Sequence, residues 1–273
     1  MKKYLASTGT LPLAMNKEFY EYECIPEIVK MLDIDGVELV FLPEWDSKFP
    51  PLTPSSANWN KVKKVSCDEI TDYFIKHNVK VYSVHINRDV GNLLCSNNPD
   101  LVYRGQSILK ENLLAGIKVG AEVAVLHLWD TYKEKLDLDK LIGFVVEVAK
   151  DYPIKITYEN IPISDKELSS VLVWDRLYKI IPNNHGFTLD LNWSSFYNDF
   201  DNLKLYLNKI LNVHVQGFVN NGYLTPRVGN LDIMTCLNNL NELNYNGLIT
   251  LELTKVSQVQ SFIDAIKIIK TRI

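Results

Sequence analysis

Two periodicities alternate along the chain. Short runs of apolar, mostly β-branched or aromatic residues mark buried strands, and longer stretches with apolar positions every three to four residues mark helices. Strands are predicted over residues 3–7, 35–42, 80–85, 122–127, 154–158, 187–190, 212–215 and 248–253. Between them, 25–32 reads as a helix with Ile25, Ile28, Val29 and Leu32 on one face. Its Pro26 falls in the first turn, where no N–H is needed. Ser66-Cys-Asp-Glu69 is a capping box opening a helix that closes near His77-Asn78. Asn98-Pro99-Asp100 starts a long helix to Val119, which Gly120 stops. Further helices are expected over 138–151, 232–244 and 256–271, and one from a second capping box, Ser164-Asp-Lys-Glu167, to about residue 181. Strand–helix alternation of this kind implies a parallel sheet. Eight such units without a composition break predict a single α/β domain over residues 1–273, a closed (β/α)8 TIM barrel. A doubly wound open sheet is the alternative, weakened because no Gly-x-Gly-x-x-Gly follows the first strand.

Loop lengths point the same way. Links from helix to strand are short (Asp33-Ile34, Asn78-Val79, Gly120-Ala121, Tyr152-Pro153, Tyr245-Asn-Gly247), whereas 43–65, 86–99 and 215–231 are long strand-to-helix links. The long loops therefore gather at the C-terminal ends of the strands, the face on which this fold builds active sites. Chemistry-bearing residues sit at that face. The strand before Pro162 ends on Glu159, the next on Asp190, and the last two carry His214 and Glu252. His85 and His127 end two earlier strands, while His77 and His185 lie on the opposite face and read as structural or solvated. In a closed barrel these ends converge on one axis. Three carboxylates meeting there without a cation would repel one another, and a divalent metal resolves the conflict. Glu159, Asp190, His214 and Glu252 form an oxygen-rich set suited to Mn²⁺, Mg²⁺ or Co²⁺ and able to hold Zn²⁺. His85 and His127 would tilt the site toward zinc or a second metal, or else bind substrate.

Composition narrows the partners. The net charge is −4 with no basic block, which argues against a nucleic-acid surface and a polybasic membrane contact. No signal peptide or run of 18 apolar residues is present, and the four cysteines lie far apart with no C-x-x-C, so a reduced, cytoplasmic protein is expected. Trp45, Trp129 and Trp193 follow strands and could face a sugar, or anchor loops; Trp174 lies mid-helix and reads as packing. Arg88 and Arg227, in loops after strands three and seven, could grip a phosphate or carboxylate. Glu38 could orient a histidine or bind substrate hydroxyls. No Ser-His-Asp or Cys-His arrangement and no phosphate-cradling glycine loop is present. Whether the chain forms a homo-oligomer is left open.

Asp35-Gly-Val-Glu-Leu39, Tyr158-Glu159-Asn160, Thr188-Leu-Asp190, His214-Val-Gln-Gly217 and Tyr245-Asn-Gly-Leu-Ile-Thr-Leu-Glu252 together resemble the xylose isomerase-like barrel superfamily. That group includes sugar epimerases of the D-tagatose 3-epimerase type, hydroxypyruvate isomerases, inosose dehydratases and endonuclease IV. The resemblance implies that Glu159, Asp190, His214 and Glu252 are the metal ligands, that Glu159 and Glu252 exchange the substrate proton, and that His85 and His127 match histidines holding an additional zinc in endonuclease IV. Two positions depart from the pattern: Trp193 stands where a histidine often follows the aspartate, and Gly217 replaces the aspartate of His-x-x-Asp. No Asp-x-His pair lies between Val215 and Gly229, so the third zinc site of endonuclease IV lacks its ligands. The leading expectation is a metal-dependent isomerase or epimerase of a sugar, sugar phosphate or related hydroxy-carbonyl compound, working through a metal-stabilised enediolate. A metal-dependent phosphodiester hydrolase and a non-catalytic carbohydrate-binding barrel are the alternatives.

Overall fold

The computed structural model describes residues 2–52, 59–129, 137–161 and 169–272. Nine strands are assigned: β1 (Lys3–Ser7), β2 (Gly36–Val40), β3 (Val81–His85), β4 (Val123–Leu126), β5 (Lys155–Glu159), β6 (Gly186–Asp190), β7 (Ile210–Asn220), β8 (Tyr223–Thr225) and β9 (Leu248–Leu253). Eight of them pair in parallel, in the order β1 to β7, then β9, and β9 returns to β1. The sheet is therefore a closed barrel, and its eight strands are those the hydrophobic pattern predicts.

Helices α1 (Ile25–Met31), α2 (Cys67–Lys76), α4 (Pro99–Val119), α5 (Leu138–Ala149), α6 (Ser170–Ile180), α9 (Ile233–Glu242) and α10 (Val259–Lys270) follow the predicted positions. The first capping box forms: Ser66 Oγ accepts from Glu69 N, and the Glu69 carboxylate accepts from Ser66 N at 2.8 Å. Gly120 ends α4 in the left-handed region at φ 88°, as its position implied. The second capping box, 164–167, falls outside the described residues; α6 is capped by Ser169, whose Oγ accepts from Leu172 N. Three short helices, α3 (Val90–Leu94), α7 (Leu191–Tyr197) and α8 (Phe200–Leu203), were not predicted. Nor was β8. Strand β7 runs on past the barrel rim, turns at Asn221 (φ 48°) and Gly222 (φ 78°), and returns as β8, antiparallel, with Phe218 opposite Thr225. An Asn-Gly pair accepts the two positive φ angles that a tight hairpin turn demands.

Strand residues alternate between the barrel interior and the helix layer. Val37, Leu39, Val84, Ala124, Ile156, Phe187, Val213 and Leu251 belong to the large apolar core under the helices, where Trp174 stacks on Phe187 at 4.2 Å. The other parity fills the interior in layers. Leu5, Val123, Val125 and Leu248 form a separate apolar cluster. The same interior parity on other strands, and on β9, carries buried Glu38, Ser83, Thr157, Thr188, Asn212 and Thr250, several of which bond to one another. Thr157 and Thr188 hydroxyls meet at 2.7 Å, Thr250 Oγ1 donates to Asn212 Oδ1 at 3.0 Å, and Asn212 Nδ2 donates to Glu38 at 2.8 Å. These groups largely satisfy one another, as buried polar groups must. They are the floor of the site. Among the described residues, no helix is long and apolar enough to cross a membrane.

At the opposite end, His185 is buried and its Nδ1 is hydrogen-bonded to the Tyr158 hydroxyl at 2.9 Å. Burial, with Lys209 nearby, pushes its pKa down to about 4. The unfolded chain therefore binds the extra proton between pH 6.5 and about 4, so the stabilisation is complete above pH 6.5 and is lost as pH falls through that window. At most about 3 kcal/mol is at stake. Urea titrations should show a flatter fall in unfolding free energy between pH 6.5 and 4 for His185→Gln than for the wild type; equal slopes would contradict this origin.

Candidate metal centre

The interior parity that sets the polar floor sets the site one layer above it. Thr157 is followed on its face by Glu159, Thr188 by Asp190, Asn212 by His214, and Thr250 by Glu252. Strand register brings Asp190 beside His214 and Gln216 beside Glu252. His214 sits between carboxylates. Its Nε2 lies 3.1 Å from Glu38 Oε1, and its Nδ1 lies 3.3 Å from Glu159 Oε1 and 3.9 Å from Glu252 Oε2. The other Glu159 oxygen lies 3.0 Å from His127 Nε2 and 3.3 Å from His85 Nε2. Three groups of side chains could each hold an ion: Glu159, Asp190 and His214; Glu38, His214 and Glu252; and His85, His127 and Glu159.

Burial disfavours the charged forms here, and the neighbours decide the outcome. Burial opposes ionised Glu159, but the His214 and His127 charges and their hydrogen bonds outweigh it and hold the carboxyl well below its ordinary range. Burial likewise opposes protonated His214, yet Glu38, Glu159 and Glu252 raise its pKa well above the usual value. Burial opposes protonated His85 too; the Glu159 hydrogen bond and charge bring it up to about 8. Asp190 is the group left out. Burial first and the Glu159 charge second push it well above the carboxylate range. Its Oδ1 accepts from Trp193 N at 2.7 Å and so caps α7, while Oδ2 is buried without a hydrogen-bond partner among the described residues. An orphaned carboxylate oxygen beside a second carboxylate and an imidazole nitrogen is what a divalent cation would satisfy.

Supporting amides hold these groups. Asn160 Oδ1 accepts from Asp190 N at 2.6 Å, and its Nδ2 donates to Asp190 O and Ser194 Oγ, tying the end of β5 to the start of α7. Thr250 orients the Asn212 amide so that its nitrogen meets Glu38, and Glu38 in turn faces His214 Nε2. A carboxylate behind one imidazole nitrogen presents the other toward a metal.

The sequence profile of the family described as Xylose isomerase-like TIM barrel matches residues 26–272. The chain belongs to this family. Solved structures with the same fold include a D-allulose 3-epimerase from Methylomonas sp. (15% identity, 99% of this chain and 97% of that one, TM-score 0.71). Another is the 3-keto-D-glucoside 4-epimerase YcjR from E. coli (16% identity, 99% and 100%, TM-score 0.64). In sequence, the chain is 29% identical over 165 residues to the uncharacterized protein MJ1311 of Methanocaldococcus jannaschii. That match spans 53% of this chain and about half, 55%, of the relative.

Within the xylose isomerase-like frame, the two departures have structural causes. A Cβ on Gly217 would lie 2.2 Å from Thr225 O, because β8 folds directly over it. An aspartate there is excluded by this hairpin. Trp193 lends its backbone N–H to Asp190, and its side chain lies under the Arg227 guanidinium at 5.3 Å. Of the other expected substrate residues, Trp45 is buried, with its ring edge-on to Tyr22 and its N–H directed to Tyr20 O at 3.4 Å, and Trp129 is buried as well. Neither offers an open ring face in this structure. Arg88 pairs with the fully buried Glu44, and Glu38 faces His214. Sequence reasoning missed Asn212, Gln216 and Asn192. Gln216 and Asn212 share the interior parity of His214, a signal present in the sequence.

Asp190→Asn keeps an α7 cap, since asparagine caps as well as aspartate, but removes the charge. In metal-free protein its unfolding temperature should equal or exceed that of the wild type, because repulsion from Glu159 is relieved. Mn²⁺ at about 100 times its Kd should stabilise the wild type by about 2.7 kcal/mol and the variant by much less. Thermal unfolding with and without the ion checks both signs.

Proposed function

We propose that the protein is a metal-dependent isomerase or epimerase of a sugar or related hydroxy-carbonyl compound. The observation that carries this reading is the convergence of Glu159, Asp190, His214 and Glu252 from four neighbouring strands, with Asp190 Oδ2 left unsatisfied in a buried site. The epimerases of like fold supply the substrate class. These four residues would hold the ion, which when bound supplies Lewis-acid polarisation of substrate oxygens. The chain's own groups do the rest. One of Glu159 and Glu252 takes the proton as the C–H bond breaks and the electron pair moves onto the adjacent carbonyl oxygen. The other gives a proton back, to the opposite face of the same carbon in epimerisation or to its neighbour in isomerisation. The two glutamates lie on β5 and β9 on either side of His214, which suits opposite approach. Glu159 is held ionised by its histidines. Glu252 is less enclosed, with 13% of its side chain exposed. The four cysteines are all free, and a cytoplasmic location is part of this proposal.

A second reading rests on His85, His127 and Glu159 as a second ligand group. Two ions would suit phosphodiester hydrolysis. Against it, no Asp-x-His pair lies between Val215 and Gly229, so a third site lacks its ligands.

If Glu159 and Glu252 move the proton, glutamine at either position should slow exchange of substrate hydrogen with solvent deuterium about 10²-fold or more, a typical general-base contribution. The substrate comes from a panel of ketoses, their phosphates and inososes. Exchange at the wild-type rate in both ion-loaded variants would rule out the two-glutamate mechanism. Elemental analysis separates the second reading: one ion per chain, unchanged in the His85→Ala/His127→Ala variant, is expected, and two ions falling to one would favour the hydrolase.

A further inference from the structure

One hydrogen-bonded chain reaches Glu252 from outside the ligand set, and its direction is fixed. The Val228 backbone N–H, which can only donate, meets Asn192 Oδ1 at 3.0 Å. That sets the Asn192 amide, so Nδ2 donates to Gln216 Oε1 at 2.8 Å. Gln216 is then set as well, and its Nε2 donates to Glu252 Oε2 at 3.3 Å. Flipping either amide would place like groups face to face, so one backbone N–H determines what Glu252 meets three links away. The links are built in. Asn192 is fully buried, and Gln216 and Glu252 are register partners across β7 and β9. The loop carrying Val228 is fastened to α7 a second time, where Leu231 N donates to Ser195 Oγ at 2.9 Å. Gly229, at φ 77°, lies so close to Ser195 that a Cβ would sit 2.2 Å from its carbonyl oxygen.

We propose that Gln216 and Asn192 are positioning residues for Glu252, a polarised relay that always presents a donor to Oε2 and so leaves Oε1 to accept a proton. The same relay ties Glu252 to the loop that bears Arg227, whose guanidinium lies over Trp193. Seating of a substrate on that loop is thereby transmitted to the glutamate. This rests on the metal-dependent reading of the site.

The relay can be tested through its polarity, using Mn²⁺ titration calorimetry on the ion-stripped full chain. Gln216→Met removes the donor at similar volume and should weaken Mn²⁺ binding about 10-fold or more, the usual scale for a group that orients a ligand. Asn192→Asp still accepts from Val228 N–H, but its other oxygen turns the Gln216 amide round, so that an oxygen faces Glu252. It should weaken Mn²⁺ binding too, although its added negative charge alone would strengthen it. In the Gln216→Met background, Asn192→Asp should no longer weaken binding, because the link it acts through is gone. Unfolding temperatures of the ion-free variants report whether each folds. Gln216→Met binding at the wild-type affinity overturns the relay. Asn192→Asp that strengthens binding, or weakens it equally in both backgrounds, overturns its polarity. A wild-type chain that binds no divalent ion overturns the metal reading itself, and the relay with it.

Discussion

The site depends on one electrostatic constraint: Glu38, Glu159, Asp190 and Glu252 surround His214 at the barrel axis, away from water. Isolated charges are not tolerated in such a place, and each must find a partner or change its protonation. His214 takes two carboxylates, one at each ring nitrogen, and Glu159 takes three imidazoles. Asp190 alone is left facing like charge. The surrounding carboxylates raise the pKa values of His214 and His85, which favours their protonated forms. A divalent ion would replace those protons as the positive centre and give Asp190 its partner, so ion binding and folding stability are tied together.

The barrel meets this constraint by stratification. Parallel strands in register place residues of like parity in rings. An apolar set, Leu5, Val123, Val125 and Leu248, lies in register beside a hydroxyl and amide set, and Glu159, Asp190, His214 and Glu252 follow two residues later on their strands. The hydroxyl and amide set matters most, because its groups bond to one another and to Glu38 and so fix the Asn212 amide and hence the ring of His214.

Much of this was legible in the sequence because strand parity is read by counting. Once Glu159, Asp190, His214 and Glu252 are seen to end consecutive strands, closure of the barrel brings them together. The amides were harder to see. Asn212 stands two residues before His214 and Gln216 two after, but an asparagine or glutamine carries no charge pattern, and its role depends on a partner such as Glu38, 174 residues away. Helix α7 was hidden because Asp190, its N-cap, is also the residue that looks like a ligand. The β7–β8 hairpin was announced by Asn221-Gly222, but ending the strand at residue 215 left that signal inside a presumed loop. Trp45 and Trp129 are buried, and an aromatic residue after a strand is as readily taken into the core as into a binding surface.

That hairpin also bears on the choice between chemistries. No Asp-x-His pair lies between Val215 and Gly229 to supply the third ligand set of a phosphodiester hydrolase. At position 217, where the family pattern has an aspartate, the β8 backbone occupies the space a Cβ would need, and a substitution alone could not restore that aspartate without moving the hairpin off β7 and breaking the pairing of Phe218, Val219 and Asn220 with β8. The same loop continues through Arg227 to its anchor on α7. Thus the segment that crowds position 217 also carries Arg227 and, through Asn192 and Gln216, a hydrogen bond to Glu252. One backbone excursion accounts for what the site lacks and for what it adds, and both favour a small oxygen-rich substrate over a nucleic-acid backbone.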